Sequence, residues 1–300
     1  MNKITLYLMS LKGLEVLKAV IASDYKNIVE KIIIGRDAHI QNDYAEEIVS
    51  LCKDHDIPYH YRTDVFTVES AYSLAISWRW LIHESPSRLI VLHDSLLPKY
   101  RGFAPLVNML INREDRIGVT ALFANQEYDR GDIIYQSSSE ISYPMKISDA
   151  IEKISENYIE TVIYILERIH SGTDLTATPQ NENEATYSLW RDEDDYLINW
   201  TQSAESIENF IQAVGYPYRG ASTFINQEKI RILEAESVPD VKIMNRTAGK
   251  IIFVEGSYPV IVCGEGLLRL TKVISDRTDE DMLPFKNFRI KLHNKDENSF

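Results

Sequence analysis

Apolar residues come in short, dense bursts over the first part of this chain. Residues 3–9, 29–34, 58–61, 71–77 and 88–92 are compact apolar runs, each the length of a strand buried on both faces. Between them the spacing turns helical. Leu14, Leu17 and Ile21 share one face of a helix predicted over 14–23, and a second helix is predicted over 44–53. Strands alternating with helices predict an α/β domain built on a mainly parallel sheet, covered on both sides. The pattern continues with a helix over 104–112, a strand over 117–123 and another from 133 to 136. A long helix follows over 149–169, because Ile151, Ile154, Tyr158, Val162, Ile165, Leu166 and Ile169 form one stripe that ends before Gly172. That stripe reads as core.

The pattern then changes. Residues 171–186 are polar, include Pro179 and the run Asn181-Glu182-Asn183-Glu184, and read as a linker. A helix over 204–214 leads into short strands at 222–225, 229–234, 249–255, 259–263 and 267–273, which predict a small β-rich domain, a partly open barrel. The charged tail beyond Ser275 reads as loosely ordered. The expected division is a first domain over 1–172, a linker and domain entry over 173–200, and a second domain over 201–300.

Composition narrows the function classes. At 44% hydrophobic residues the chain can bury an ordinary core. A formal charge of -13 counts against a nucleic-acid partner, because binding a phosphate backbone needs clustered Lys and Arg. The two cysteines, Cys52 and Cys263, are too far apart in sequence for a disulfide framework or a metal-ligand motif, so a reducing, cytoplasmic setting is expected. No apolar run reaches membrane-spanning length, and residues 1–9 lack the layout of a signal peptide. No membrane partner is expected. The first strand–helix turn has no G-x-G-x-x-G fingerprint, so dinucleotide binding is not indicated.

The candidate chemistry lies in two stretches. His93 ends the apolar run 88–92 and opens the loop Asp94-Ser95-Leu96-Leu97-Pro98-Lys99-Tyr100-Arg101-Gly102. In open α/β sheets that end of a strand faces the ligand crevice. A histidine there can exchange protons near neutral pH. Downstream, Asp129-Arg130-Gly131-Asp132 is a D-x-G turn able to bring a carboxylate back to His93, where it would orient the ring and favour its protonated form. Asp132 reads as a turn-shaping residue. Ser95 lacks a nucleophile elbow and reads as a loop brace rather than part of a hydrolytic triad. The other histidines (His39, His55, His60, His83, His170, His293) show no metal-ligand spacing, and no metal site is expected.

These stretches resemble the formyltransferases that use 10-formyltetrahydrofolate. The resemblance rests on His93, the run Ser95-Leu96-Leu97-Pro98-Lys99-Tyr100-Arg101-Gly102, Ala104-Pro105, Gly118-Val119-Thr120 and Asp129-x-Gly131-Asp132. It covers about the first two thirds of the chain well and the rest weakly. It implies a Rossmann-like catalytic domain, an OB-like second domain, and 10-formyltetrahydrofolate as formyl donor. His93 and Asp129 are then two members of a catalytic Asn-His-Asp set. The family asparagine falls at Val91 here, which has no side-chain donor. The resemblance also implies cofactor contacts at Ser77, Trp78, Arg79, Trp80, Leu81, Gln126 and Tyr128. For the two tryptophans, plain packing is the competing reading. Lys99, Tyr100, Arg101, Tyr216, Tyr218 and Arg219 are candidate substrate contacts. Tyr can stack on a base and Arg can fork onto a phosphate, against the simpler reading of a braced loop and a packed helix-to-strand turn.

Three functions are open at this point. The sugar-modifying branch, favoured by HDSLLPKYRGFAPL and by the acidic charge, would formylate the amino group of a nucleotide-linked dideoxy-amino sugar for surface glycans such as lipopolysaccharide O-antigen, as a homodimer. The alternatives are a methionyl-tRNA formyltransferase and a folate- or nucleotide-binding homologue weakened by Val91.

Overall fold

The computed structural model describes residues 2–38, 40–82 and 87–294. His39 and His83 therefore lie outside the described residues. The elements run β1 (Ile4–Leu8), α1 (Ser10–Ala22), β2 (Val29–Ile34), α2 (Ala45–Asp54), β3 (Tyr59–Tyr61), β4 (Tyr72–Ile76), β5 (Arg88–His93), β6 (Arg101–Gly102), α3 (Pro105–Ile111), β7 (Arg116–Phe123), β8 (Ile133–Glu140) and α4 (Ile147–Ser171). Then come β9 (Tyr187–Ser188), α5 (Ala204–Ala213), β10 (Ala221–Ile225), β11 (Glu228–Val238), β12 (Ile251–Glu255), β13 (Tyr258–Val262), β14 (Leu267–Ser275) and β15 (Leu292–His293).

The chain forms two compact units. The first comprises Met1–Met109, Glu114–Ile141 and Asp149–Trp190, and the second Leu110–Arg113, Ser142–Ser148 and Arg191–Phe300. The first unit holds a seven-stranded sheet in the order β3-β2-β1-β4-β5-β7-β8. Strands β1 to β5 pair in parallel, and β7 and β8 add on antiparallel. Every residue of β1 is buried, and Ile32, Ile33, Ile34, Leu74 and Ile76 are buried with it. Helices cover both faces of a parallel sheet, so its strands read as unbroken apolar runs. All seven residues of the predicted α4 stripe are buried; each fully buried aliphatic side chain contributes about 2 kcal/mol.

The order reverses between β1 and β4, because the chain leaves β1 for β2 and β3 on one side and returns to β4 on the other. In an open sheet the carboxyl ends at such a point form the ligand crevice. Ser10 (φ 63°) follows β1 and Ser77 (φ 54°) follows β4, and their hydroxyls hydrogen-bond at 2.9 Å. Both strands thus end in backbone that turns sharply at the same place.

The expected linker over 173–200 needs correction. Residues 173–190 belong to the first unit. Thr178 bridges Ile133, and β9 pairs in parallel with β6. The segment is largely exposed, yet Gln180, Glu182 and Tyr187 within it accept hydrogen bonds from the buried Arg101 of that unit.

The second unit holds a six-stranded antiparallel sheet in the order β12-β13-β14-β11-β10-β15. Its two outer strands meet. Lys250 bridges Lys291, Leu292 N donates to Gly249 O at 2.7 Å, and Ile251 N donates to Ile290 O at 3.2 Å. The tail expected to be loose is thus ordered through residue 294 and closes a barrel. Its pairing strand is two residues long and carries no alternating pattern, so sequence did not reveal it.

Among the described residues, one charged side chain is fully buried in this unit. Arg231 donates to Gly220 O (3.0 Å) and to Asp276 Oδ1 (2.5 Å) and also pairs with Glu193. Glu193 and Asp276 keep solvent access, so removing the cation does not strand two dry carboxylates. Arg231→Ala is expected to cost about 2–3 kcal/mol in urea unfolding, the usual loss for hydrogen bonds to charged groups. A change near zero would place the anchor elsewhere.

Candidate active site

His93 is the last residue of β5 and is buried. Its Nε2 lies 2.8 Å from Tyr100 O, and its Nδ1 lies 3.5 Å from Asp129 Oδ1. A carbonyl only accepts, so Nε2 carries a proton and donates it. At 3.5 Å, Nδ1 faces the carboxylate without a short hydrogen bond to it. The sheet delivers the histidine and the D-x-G turn delivers the carboxylate, although 36 positions separate them in sequence.

Local geometry holds Asp129. It has a positive φ of 56°, which aspartate tolerates better than most residues. Its Oδ2 accepts from Gly102 N (2.8 Å), leaving Oδ1 for His93. Gly102, with φ 101°, could not carry a side chain, because a Cβ would fall 2.5 Å from Ser188 O. The loop from Asp94 to Gly102 is tied down along its length. Ser95 Oγ donates to Lys99 O (2.6 Å), and Leu97 N donates to Thr120 Oγ1 (3.0 Å). Thr120 Oγ1 donates to Ser95 O (2.6 Å), and Gln136 Nε2 donates to Leu97 O (2.9 Å). Sequence reasoning missed Thr120 and Gln136 as loop fasteners. Their strand positions gave no signal, since neither breaks the pattern of its strand.

The remaining site candidates separate by place. Lys99 is exposed, and Tyr100 (φ 58°) donates its hydroxyl to Glu114 at 2.6 Å. Arg101, expected at a substrate, is buried and fully engaged. It donates to Gln180 Oε1 at 3.1 and 2.7 Å, to Glu182 at 2.9 and 2.8 Å, and to the Tyr187 hydroxyl at 3.3 Å. Its donors tie the 180–187 segment to the loop that follows His93 and leave no fork for a substrate anion. Tyr216, Tyr218 and Arg219 belong to the second unit, where Arg219 pairs with Asp276 at 3.1 Å and Tyr216 is about half exposed.

Hydrogen bonds from Arg101 and then Arg130 hold the carboxyl of Glu182 down to about 2. A depressed carboxylate gives stability that is present above its ordinary value and lost as pH falls through the folded one. The 180–187 segment is therefore expected to loosen from pH 4.5 down to about 2. Proteolysis and melting measured across that window should show the transition in the wild type and a flatter response in Glu182→Gln.

Trp78 packs edge-on against Tyr7 and Trp80, with ring centroids 5.1 Å away in each case. Both indoles sit over Gly35, where a Cβ would fall 2.5 Å from Trp80. Arg62 lies 4.5 Å over the Trp80 ring, and Arg79 donates to Asp37 at 2.8 Å. The tryptophans are thus packed, yet the Trp78 indole nitrogen is buried without a hydrogen-bond partner. Leu81, Gln126 and Tyr128 are exposed. Val91 lies two residues before His93 on β5, so both side chains take the same face of the strand. Among the described residues, no group of three His, Cys, Asp or Glu could hold a metal ion. Also among them, no helix is long and apolar enough to cross a membrane.

A mainly parallel sheet thus presents a histidine–carboxylate pair at the carboxyl end of β5, an arrangement suited to proton transfer. Comparison with known proteins sharpens that reading. The profile described as "Formyl transferase" matches residues 26–164, and "Formyl transferase, C-terminal domain" matches residues 191–287. The chain belongs to the formyl transferase family. A methionyl-tRNA formyltransferase of Acetivibrio thermocellus is 31% identical over 191 residues, covering 64% of this chain and 60% of that protein. The chain therefore spans about 60% of that relative's length. A sugar 3N-formyl transferase, WlaRD, solved in the presence of dTDP and 5-N-formyl-THF, superposes with TM-score 0.64 at 20% identity, covering 90% of this chain and 97% of that one. An N-formyltransferase of Helicobacter canadensis, in complex with folinic acid and dTDP-3-aminofucose, superposes with TM-score 0.66 at 17% identity, covering 90% and 99%.

Members of this family use 10-formyltetrahydrofolate. The crevice residues fit such a group. Trp78 offers an unpartnered buried N–H, and Ser10 and Ser77 place polar side chains and turned backbone at the mouth between β1 and β4. A flat heterocycle rich in donors and acceptors is matched by such groups.

Proposed function

We propose that the chain transfers a formyl group from 10-formyltetrahydrofolate to the primary amine of a nucleotide-linked amino sugar. The observation that carries the chemistry is the approach of Asp129 to His93 at the carboxyl end of β5. When bound, the cofactor supplies an activated acyl carbon. Residues 77–81 and the Trp78 N–H would hold its ring system, with Gln126 and Tyr128 on the opposite loop. Nε2 of His93 is committed to the Tyr100 carbonyl, so Nδ1 is the atom left to take the proton of the attacking amine. Asp129 Oδ1 faces the imidazolium that results. The carboxamide that the family would place at Val91 is lacking, so oxyanion stabilisation falls to other donors in the crevice.

The acidic charge favours a sugar over a tRNA acceptor, since the chain carries -13 overall. An exposed aromatic near the pair points the same way: Phe103 follows Gly102 and can stack on a nucleobase. Identity to methionyl-tRNA formyltransferases favours a second reading, formylation of methionyl-tRNA. The test offers labelled cofactor with a panel of nucleotide-linked amino sugars and with charged initiator tRNA. Label in a sugar product, abolished by His93→Ala, supports the first reading. Label only in tRNA, with binding that weakens steeply as salt rises, replaces it by the second. No label in any acceptor removes both.

A further inference from the structure

The residue after His93 is charged, and the chemistry above makes no use of it. Asp94 Oδ2 accepts from Lys12 Nζ at 2.5 Å, and its Oδ1 accepts from the Tyr158 hydroxyl. Lys12 comes from the first turn of α1, reached across β4, and Tyr158 comes from α4. The ammonium also lies 5.6 Å over the Tyr158 ring. Lys12 is buried and Tyr158 wholly so. Burying an ammonium is costly unless it is paired. Here the pair sits beside the one imidazole that the site uses.

Among the described residues, four titratable groups bear on that imidazole directly or through Asp94. Asp129 approaches from the loop between β7 and β8, and Asp94 follows His93 at the start of the loop between β5 and β6. Lys12 reaches Asp94 from α1. Tyr158 reaches it from α4 and also lies 3.4 Å from Leu92 O. Burial pushes the Asp94 carboxyl up, but the Lys12 charge and the hydrogen bonds from Lys12 and Tyr158 bring it below its ordinary value, with His93 adding to the effect. Burial and the Asp94 charge hold the Tyr158 hydroxyl well above its usual range, so it donates as a neutral group. Without Lys12, the Asp94 carboxylate next to His93 in the chain would lose its compensating charge and add to the field of Asp129.

We propose that Lys12 is a positioning residue that acts through Asp94, cancelling that carboxylate and fixing it against Tyr158, so that the His93 ring meets the carboxylate of Asp129 and not a second free anion. A base flanked by two free anions would keep the proton it takes and would be slow to release it. The consequence for turnover rests on the formyl-transfer reading; the charge effect on the imidazole does not.

The experiment follows the His93 ring by NMR titration, assigned by its loss in His93→Gln, alongside pH profiles of formyl transfer. Lys12→Met should move the His93 titration midpoint up by about one pH unit. It should also move the acid limb of the kcat profile with it and leave KM for the acceptor unchanged. Asp94→Asn, which keeps an acceptor for Tyr158, should move the midpoint down, because the ammonium is then uncompensated. Lys12→Arg should restore wild-type behaviour. If Lys12→Met does not fold, the downward shift in Asp94→Asn and the rescue in Lys12→Arg decide the matter. A midpoint unmoved in every folded variant overturns the proposal and leaves the pair a structural brace. Should the wild type transfer no formyl group, the formyl reading falls and the titration still decides this one.

Discussion

His93→Ala is expected to lower kcat/KM for formyl transfer by about a hundred- to ten-thousand-fold, the usual worth of a positioned proton acceptor. The side chain lies at the mouth of the sheet, and its two nitrogens face Tyr100 O and Asp129 Oδ1 rather than core groups. Its loss removes one hydrogen bond from the fold, worth about 1 kcal/mol. The melting temperature should therefore barely move while the rate collapses, and initial rates measured beside a thermal melt would show both. Undiminished transfer by the variant would mean that the proton leaves by another route.

Gly131→Ala should act through the backbone instead. A Cβ at that position would fall 1.7 Å from Phe123 O and 2.9 Å from its carbonyl carbon. No side chain can step aside there, because the obstacle is the main chain of β7, which pairs with β5 and β8. The turn must move bodily, at a cost on the order of 4 kcal/mol, in the range reserved for severe steric or strain effects. Asp129 is two residues away and would move with the turn, so activity should fall together with stability. Denaturant unfolding and initial rates on the same preparation would show the two losses together. A stable but inactive variant would mean that the turn yields locally; a stable and active one would refute the steric argument.

The architecture of the first unit was legible because burial on both sheet faces writes strands as apolar runs, as in β1 and β2. The approach of His93 and Asp129 was legible because one ends a strand and the other sits in a D-x-G turn between two strands. Arg101 was misjudged for a physical reason. A basic residue beside a catalytic loop looks the same in sequence whether it meets a ligand or a glutamate from 81 positions downstream. The 173–190 segment was misjudged by the same logic, since an exposed polar run looks like a linker even when Gln180 and Glu182 within it hold the buried Arg101. Lys12 gave no signal at all, because nothing local marks an ammonium that crosses a strand to reach Asp94.

The closing of the second unit's sheet also bears on solution behaviour. With residues 290–292 engaged against 249–251, strands β10 and β12 do not present free rows of amides and carbonyls at that end. Open strand margins recruit other chains. Clipping the protein just before Lys291 would therefore leave two adhesive rims, and the trimmed species should gather into aggregates at concentrations where the intact chain stays dispersed.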